Sequence, residues 1–489
     1  MSQIFSECIF ESPTEARDGT PRVLLIAYHF PPGQAAGALR WQKFVTHGAE
    51  RGWAFDVITL DPASLDSADP SRLDQLPAGT RVFAIGSPRL LIERLERAIW
   101  RVYRSVRPLG QPDDQEASEE DVTQKHNSDS FHRDHVTFQP TVIRSWMRAN
   151  NAWIEYARTR SWAHRAAALG RRLVAQGAHC VVVSSGPPHM AHEGARRLSQ
   201  ASGLPLVIDL RDPWSLYERL PRRLASPLWY RFAARYERLA VRQAALIVMN
   251  TESGRRAMAS RYPDQNDRII IVANGFDDDE AMPTSERDGR FLIAFAGSVY
   301  LDRSPKQLFE AAGRVVRELG LSPADFGIEL MGHHITGADE RPIRAMAKRA
   351  GLEPFLRLHP PGTRQQAAEF LARAVMLVSL PQDSHLAIPS KIFEYMRYDA
   401  WLLAIAERDS ATELLLRETE ADVVSPDDVE GLTEVLRIRY AEHRTGRRPL
   451  PIARSEPRFG RSAQAERLFE AVEQITGELL VDPSADRRL

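Results

Sequence analysis

The chain is a succession of short apolar runs, each followed by a stretch in which apolar residues recur at helical spacing. The first run, Val23-Leu24-Leu25-Ile26-Ala27-Tyr28, is continuous rather than alternating, as expected of a parallel strand covered on both faces. A loop, Phe30-Pro31-Pro32-Gly33-Gln34-Ala35-Ala36-Gly37, leads from it into a helical pattern over residues 38–51. Further runs at 55–60, 81–85, 180–185, 206–210, 245–249 and 269–272 predict strands, with a helix over 190–202. This alternation predicts a doubly wound α/β domain. A polar, acidic, turn-prone stretch at 275–289 marks a junction. Beyond it a second series begins, at 291–295, 328–331, 356–358, 375–378 and 401–405. The expected division is a loose tail at 1–20, one doubly wound domain at 21–285 and another at 286–489, closing with a helix around Phe469. Such domains bind ligands at the carboxyl ends of their strands.

Two segments break the alternation. Residues 111–137 carry Asp113, Asp114, Glu116, Glu119, Glu120, Asp121, Asp129 and Asp134 with scarcely an aliphatic residue. That composition cannot supply a core and predicts a disordered surface insertion. The helix expected before it, over 91–107, is two-faced. Leu91, Leu95, Ile99, Val102 and Val106 share one side; Arg94, Arg97, Arg101, Arg104 and Arg107 share the other. Two readings stand: a core-packed helix with a solvated basic face, or contact with an anionic membrane surface.

Composition narrows the class. The 489 residues hold 64 basic and 65 acidic side chains, so no overall charge draws the chain to nucleic acid. Cys8 and Cys180 are too few for a disulfide framework, which fits a reducing compartment. No apolar run approaches the ~18 residues of a membrane span. The amino terminus lacks the basic-then-apolar order of a secretory signal. A cytoplasmic protein is expected, at most peripheral on the inner face of the cell membrane.

Candidate chemistry sits at strand ends. Gly33 and Gly37 open a helix after a strand, where backbone N–H groups can approach a phosphate or sugar. Their spacing is not the G-x-G-x-x-G of dinucleotide enzymes, so a dehydrogenase is not supported. His189 and His192 follow Ser185-Gly186-Pro187-Pro188 without a carboxylate or cysteine to complete a metal site, and a substrate hydroxyl is the better partner. In Asp209-Leu210-Arg211-Asp212, alternation puts Asp209 and Arg211 on one side and Asp212 at the strand exit. An internal ion pair and a substrate-facing site are both open there. Gly297 and Ser298 begin a strand-to-helix loop carrying Arg303 and Lys306, cations suited to a diphosphate. The acidic run Asp277-Asp278-Asp279-Glu280 reads as a solvated charge block. In Pro389-Ser390-Lys391-Ile392-Phe393-Glu394-Tyr395, Ser390 is expected near a helix N-cap, where a phosphate is favoured. Lys391 adds charge, and Glu394, a turn later, can accept from two ribose hydroxyls.

These motifs together resemble a known family. The Phe-Pro-Pro loop with Gly33 and Gly37, Ser184 to Pro188, Asp209 to Trp214, Asn274-Gly275-Phe276-Asp277, Gly297 through Arg303 and Pro389 to Tyr395 are similar, in order and spacing, to GT-B retaining glycosyltransferases of family 4. The likeness is to a polysaccharide-biosynthesis subgroup. It implies two Rossmann-like domains facing across a cleft, the nucleotide-sugar (UDP or GDP) held mainly by the C-terminal one and a saccharide or lipid-linked acceptor by the N-terminal one. It implies Glu394 on the donor ribose as the second glutamate of the E-x7-E motif, Arg303 on the diphosphate, and no metal or other cofactor, because protein cations stabilise the leaving group. Lys391 would share that role. Gly33, Gly37, Gly297, Ser298 and Ser390 line the donor side; His189, His192, Arg211 and Asp212 lie toward the acceptor. The sequence departs from the family at Leu386, where the first glutamate of E-x7-E would stand, and at Ser298, where many members have arginine. Arg211-Asp212 occupies the place of a histidine common in the family. Two alternatives share the fold: a non-catalytic partner in a polysaccharide assembly complex and a nucleotide-sugar epimerase.

Overall fold

A computed structural model describes residues 6–14, 19–65, 68–87, 142–212, 214–216, 227–283, 287–299, 303–337, 340–381 and 384–481. The two-faced helix expected at 91–107 and the acidic segment 111–137 lie outside the described residues. The chain forms two compact units: residues 1–250, 255–272 and 465–489 in one, and 251–254 and 273–464 in the other.

The N-terminal unit is an eight-stranded sheet in the order β1-β4-β3-β2-β5-β6-β7-β8. The strands are β1 (Ser6–Glu11), β2 (Arg22–Ala27), β3 (Ala54–Leu60), β4 (Thr80–Ile85), β5 (His179–Gly186), β6 (Leu206–Leu210), β7 (Leu246–Met249) and β8 (Ile269–Ile271). All neighbours pair in parallel except β1, which runs antiparallel along the edge of β4. Their continuous apolar runs have the expected cause. Leu24 and Ile26 pack with the helix Val142–Val174 (Trp162, Ala163) and the helix Met190–Ser202 (Ala195, Leu198) on one face. Val23 and Leu25 pack on the other face with Trp41 and Phe44 of the helix Ala36–Glu50 and with Phe469.

The second unit is a six-stranded parallel sheet, β11-β10-β9-β12-β13-β14. Its strands are β9 (Phe291–Ala296), β10 (Phe326–Met331), β11 (Leu356–His359), β12 (Met376–Ser379), β13 (Trp401–Ile405) and β14 (Asp422–Val424). The order reverses between β2 and β5 in one sheet and between β9 and β12 in the other, the switch points at which doubly wound sheets bind ligands. Among the described residues no helix is long and apolar enough to cross a membrane.

Three expectations are corrected. The tail at 1–20 contains β1, in which Cys8 and Phe10 face Phe83 and Val82 of β4. The boundary falls at 272/273, not 285/286, because the acidic loop is bound into the second unit. There the Ala273 N–H donates to Gln464 Oε1 (2.6 Å), and the Arg461 N–H to the Phe276 carbonyl (2.8 Å). Asp277 is buried between Arg364 (2.6 Å) and Arg461 and Glu280 pairs with Arg364 (2.9 Å), so only Asp278 and Asp279 of the run are exposed as expected. Finally, residues 465–489 belong to the N-terminal unit: Leu468, Phe469 and Val472 are buried with Trp53 and Phe55, and Glu473 pairs with Arg51 (3.0 Å).

One buried carboxylate ties the N-terminal unit together around its switch point. Asp209, 1% exposed on β6, accepts from Arg40 Nη2 (3.1 Å) and Nε (3.3 Å), Trp41 Nε1 (2.8 Å) and Ser185 Oγ (3.0 Å). Arg40 Nη2 also donates to the Val272 carbonyl (2.9 Å), so one network joins the helix Ala36–Glu50 to β5, β6 and the chain after β8. Its basic partners hold the Asp209 carboxyl below the usual range against the upward push of burial. Asp209→Ala removes the carboxylate on which Arg40, Trp41 and Ser185 converge. Thermal or urea unfolding should show a loss of about 3–5 kcal/mol; a loss below about 1 kcal/mol would mean that the network is dispensable.

Candidate functional site

In the C-terminal unit the chemistry gathers where β9 ends. The Ala296 N–H donates to Tyr395 Oη (2.9 Å), and that hydroxyl donates back to the Ala296 carbonyl (3.3 Å). The pair fixes the helix Ser390–Tyr395 against the strand end. Gly297 follows with φ +148°, a backbone state that L side chains rarely adopt. A Cβ there would also overlap Lys391 Nζ. Lys391 Nζ lies 3.9 Å from the centroid of the Phe295 ring, buried and without a hydrogen-bond partner. Burial, with Arg303 nearby, drives its pKa down to about 7, and Glu394 pulls the other way.

Glu394, one turn on, is half-buried, and its carboxylate makes no hydrogen bond or ion pair among the described residues. Burial raises its pKa; Arg364, Arg461 and Lys391 oppose the rise, and Asp277 adds to it. Ser298 and Arg303 are half-buried on the loop after β9. The structure thus brings Gly297, Ser298, Arg303, Lys391 and Glu394 into one unit at one strand end. Lys306 points elsewhere, exposed and 3.8 Å from Glu310. Ser390 is corrected: Pro389 is the N-cap, and Ser390 is the exposed first helical residue with no capping bond. A proline holds the cap position with extended backbone, and a six-residue helix offers little dipole to a phosphate. At Leu386 the backbone carbonyl accepts from Thr251 Oγ1 (2.7 Å).

In the N-terminal unit Arg211 lies just past β6. Its Nε donates to the Gly186 carbonyl (3.0 Å) and its Nη2 to the Pro187 carbonyl (2.9 Å). A Cβ on Gly37 would overlap this guanidinium, so Gly37 exists to let it lie against the start of the helix Ala36–Glu50. Asp209 pairs with Arg40 rather than with Arg211, and Asp212 is half-buried beside Arg211. Two expectations change. The Gly33 N–H is spent on the Phe30 carbonyl (2.9 Å), and its carbonyl accepts from Arg72 (2.6 Å), so Gly33 closes a turn instead of offering an amide. His192 is fully buried with Nδ1 2.8 Å from Ser184 Oγ, and His189 stacks on Trp214 at 5.3 Å. Both ring nitrogens of His189 and Nε2 of His192 are shut off from solvent. Burial holds both rings neutral, with the pKa of His192 down to about 3 and that of His189 well below its ordinary value. They form a ring stack behind Gly186 and offer no nitrogen to an acceptor. Among the described residues no group of three or more His, Cys, Asp or Glu could hold a metal ion.

The family model for a glycosyl transferase 4-like domain matches residues 120–275. The matched span includes the Asp209–Asp212 strand end and Asn274-Gly275. D-Inositol 3-phosphate glycosyltransferase from Nocardiopsis dassonvillei is 25% identical over 149 residues, 28% of this chain and 35% of that protein. The chain thus matches about a third of that relative's length. In fold the chain is similar to solved GT-B glycosyltransferases. Anabaena HepE, solved with UDP and glucose, superposes with a TM-score of 0.53 at 12% identity, covering 93% of this chain and 100% of that one. Sucrose-phosphate synthase from Thermosynechococcus elongatus gives 0.58 at 11% identity, covering 94% and 100%.

Several residues of the two units escaped sequence reading. Arg40, Trp41 and Tyr395 sit in helical runs as ordinary amphipathic residues, and their partners lie 169, 168 and 99 positions away. A signal existed only for Arg40, a charge amid the apolar positions of its helix.

Because the pKa of Lys391 in the folded protein is lowered, the charged form costs stability. That cost is full below about pH 7 and fades as pH rises toward the ordinary lysine value. Lys391→Met should therefore raise the melting temperature of the free protein by about 2–4 °C or more at pH 6, and by less at pH 9. Equal or lower melting at pH 6 would contradict the buried ammonium.

Proposed function

We propose that the protein is a glycosyltransferase that moves a sugar from a UDP- or GDP-sugar to a saccharide or lipid-linked acceptor in cell-surface polysaccharide biosynthesis, with retention at the anomeric carbon. The carrying observation is the group at the end of β9: a buried, unpartnered Lys391 ammonium and Arg303 beside Gly297, with the unpaired Glu394 carboxylate one helical turn away. Two cations at a strand end, one admitted by the glycine, suit a diphosphate; a carboxylate without donors suits the vicinal hydroxyls of a ribose. The UDP and glucose bound to Anabaena HepE favour UDP as the nucleotide.

In the reaction, the acceptor hydroxyl oxygen bonds to the anomeric carbon as the bond from that carbon to the diphosphate breaks. The hydroxyl proton passes to the departing phosphate oxygen. Negative charge grows on the diphosphate, where Lys391 and Arg303 meet it, so no metal ion is required. Ser298 borders the donor. The N-terminal unit takes the acceptor beside Gly37, Arg211 and Asp212, the last carboxylate orienting the attacking hydroxyl. For a lipid-linked acceptor, Arg94, Arg97, Arg101 and Arg104 would meet the anionic membrane. Their joint replacement by alanine should lower co-sedimentation with phosphatidylglycerol vesicles, and unchanged sedimentation would remove the membrane from this reading.

Leu386 favours a second reading, in which the protein binds nucleotide-sugar without turning it over. A thermal-shift panel of UDP, GDP and their sugars, followed by turnover assays with acceptor extracts, separates the two. A nucleotide at about 100 times its dissociation constant adds about 2.7 kcal/mol. Glu394→Ala should weaken that binding by about tenfold or more, the worth of hydrogen bonds to a charged group. Unchanged affinity would sink the ribose assignment, and binding without sugar transfer would favour the second reading.

A further inference from the structure

We propose that Arg211 reads an oxyanion, a phosphate or carboxylate, on the sugar bound by the N-terminal unit. This names the substrate class of the acceptor side and so rests on the glycosyltransferase reading. Arg211 is held at two of its nitrogens by carbonyls that carry no net charge, Gly186 at 3.0 Å and Pro187 at 2.9 Å. Among the described residues no carboxylate lies within ion-pair distance of it. Asp209, the buried carboxylate one strand residue away from the exit, is consumed by Arg40, Trp41 and Ser185. Asp212 exerts a field on Arg211 but makes no ion pair with it.

The remaining face of the guanidinium lies against Gly37, where a Cβ would overlap Nη1. Gly37 is in the first turn of the helix Ala36–Glu50, which has no acidic residue in that turn and no side-chain cap from Ala35. The positive end of a 15-residue helix and a rigid guanidinium therefore converge, with Asp209 and Asp212 acting on the guanidinium only at a distance and no carboxylate in ion-pair contact with it among the described residues. His29, next to the same site, is kept neutral by burial and by Arg211, with a pKa down to about 4, so it adds no compensating charge and can donate or accept one hydrogen bond. A desolvated guanidinium pinned by backbone oxygens is costly unless an anion completes it, and a planar fork of N–H donors matches phosphate and carboxylate.

The test is titration calorimetry on the full chain with inorganic phosphate, glucose 6-phosphate, glucuronate and glucose at constant ionic strength. Saturating UDP is present so that the C-terminal unit is occupied, and the series is repeated on Lys391→Met without UDP. The anions should bind at least about tenfold more tightly than glucose, the worth of one charge-assisted hydrogen bond. Arg211→Lys, which keeps the charge but cannot span both carbonyls, should lose that preference while retaining its UDP-induced melting shift. Arg211→Met should lose it too; if that variant fails to fold, the wild-type contrast and the lysine variant decide. Preference for glucose, equal binding of all four, no binding of any, or an anion preference that survives in Arg211→Lys would each overturn the proposal. If UDP produces no shift yet the anion preference persists in Lys391→Met and vanishes in Arg211→Lys, the donor reading fails and the Arg211 site stands. A response to glucose 6-phosphate alone would name a sugar phosphate, and a response to glucuronate alone a uronic acid.

Discussion

A charge removed from water has to be met by opposite charge or by donors, and Asp209 is where the N-terminal unit meets that demand in full. Two nitrogens of Arg40, the indole of Trp41 and the hydroxyl of Ser185 converge on one carboxylate. Since these groups come from the first helix and from neighbouring strands, satisfying the charge also sets where the helix after the glycine loop begins. Gly37, one turn before Trp41, is thereby placed against Arg211. The geometry of the strand-end loops follows from this internal neutrality.

Two of the three cations proposed to meet substrate are held in different ways. Lys391 rests on an aromatic ring with no hydrogen-bond acceptor, and Arg211 is tethered only to neutral carbonyls. Neither has an ion-pair partner among the described residues. Proteins hold such groups at binding sites because a ligand supplies the missing counter-charge without any rearrangement of the side chain. Rigidity is part of the same design: Tyr395 clamps the strand end beside Lys391, and two backbone oxygens clamp Arg211.

Sequence reading captured the sheets because parallel strands covered on both faces must be continuously apolar. It failed where that signal is short or absent, as in three-residue β14, edge strand β1 and the acidic loop around Asp277. At the site, Lys391, Glu394 and Gly297 were legible because a cation, a carboxylate and a glycine at strand and helix ends have few structural duties. His189 and His192 were misjudged because spacing cannot tell a ring aimed at solvent from one stacked on Trp214, which lies 25 positions beyond His189 in a loop. Ser390 was displaced by one position by Pro389, which takes the cap without offering a side-chain acceptor.

The helix Arg461–Val481 gives the molecule an order of assembly. Phe469 lies against Phe55 at 6.0 Å between ring centres and against Trp53 at 6.2 Å, and Gly48 is small enough to admit both Phe55 and Phe469. A ribosome delivers residues 1–272 long before residue 469, so during synthesis the first sheet has one aromatic face still open to water. The N-terminal unit therefore cannot close as it emerges. Its last side chains arrive only after the whole second unit has been made, and a chain cut short before residue 465 would expose that face permanently to chaperones and proteases.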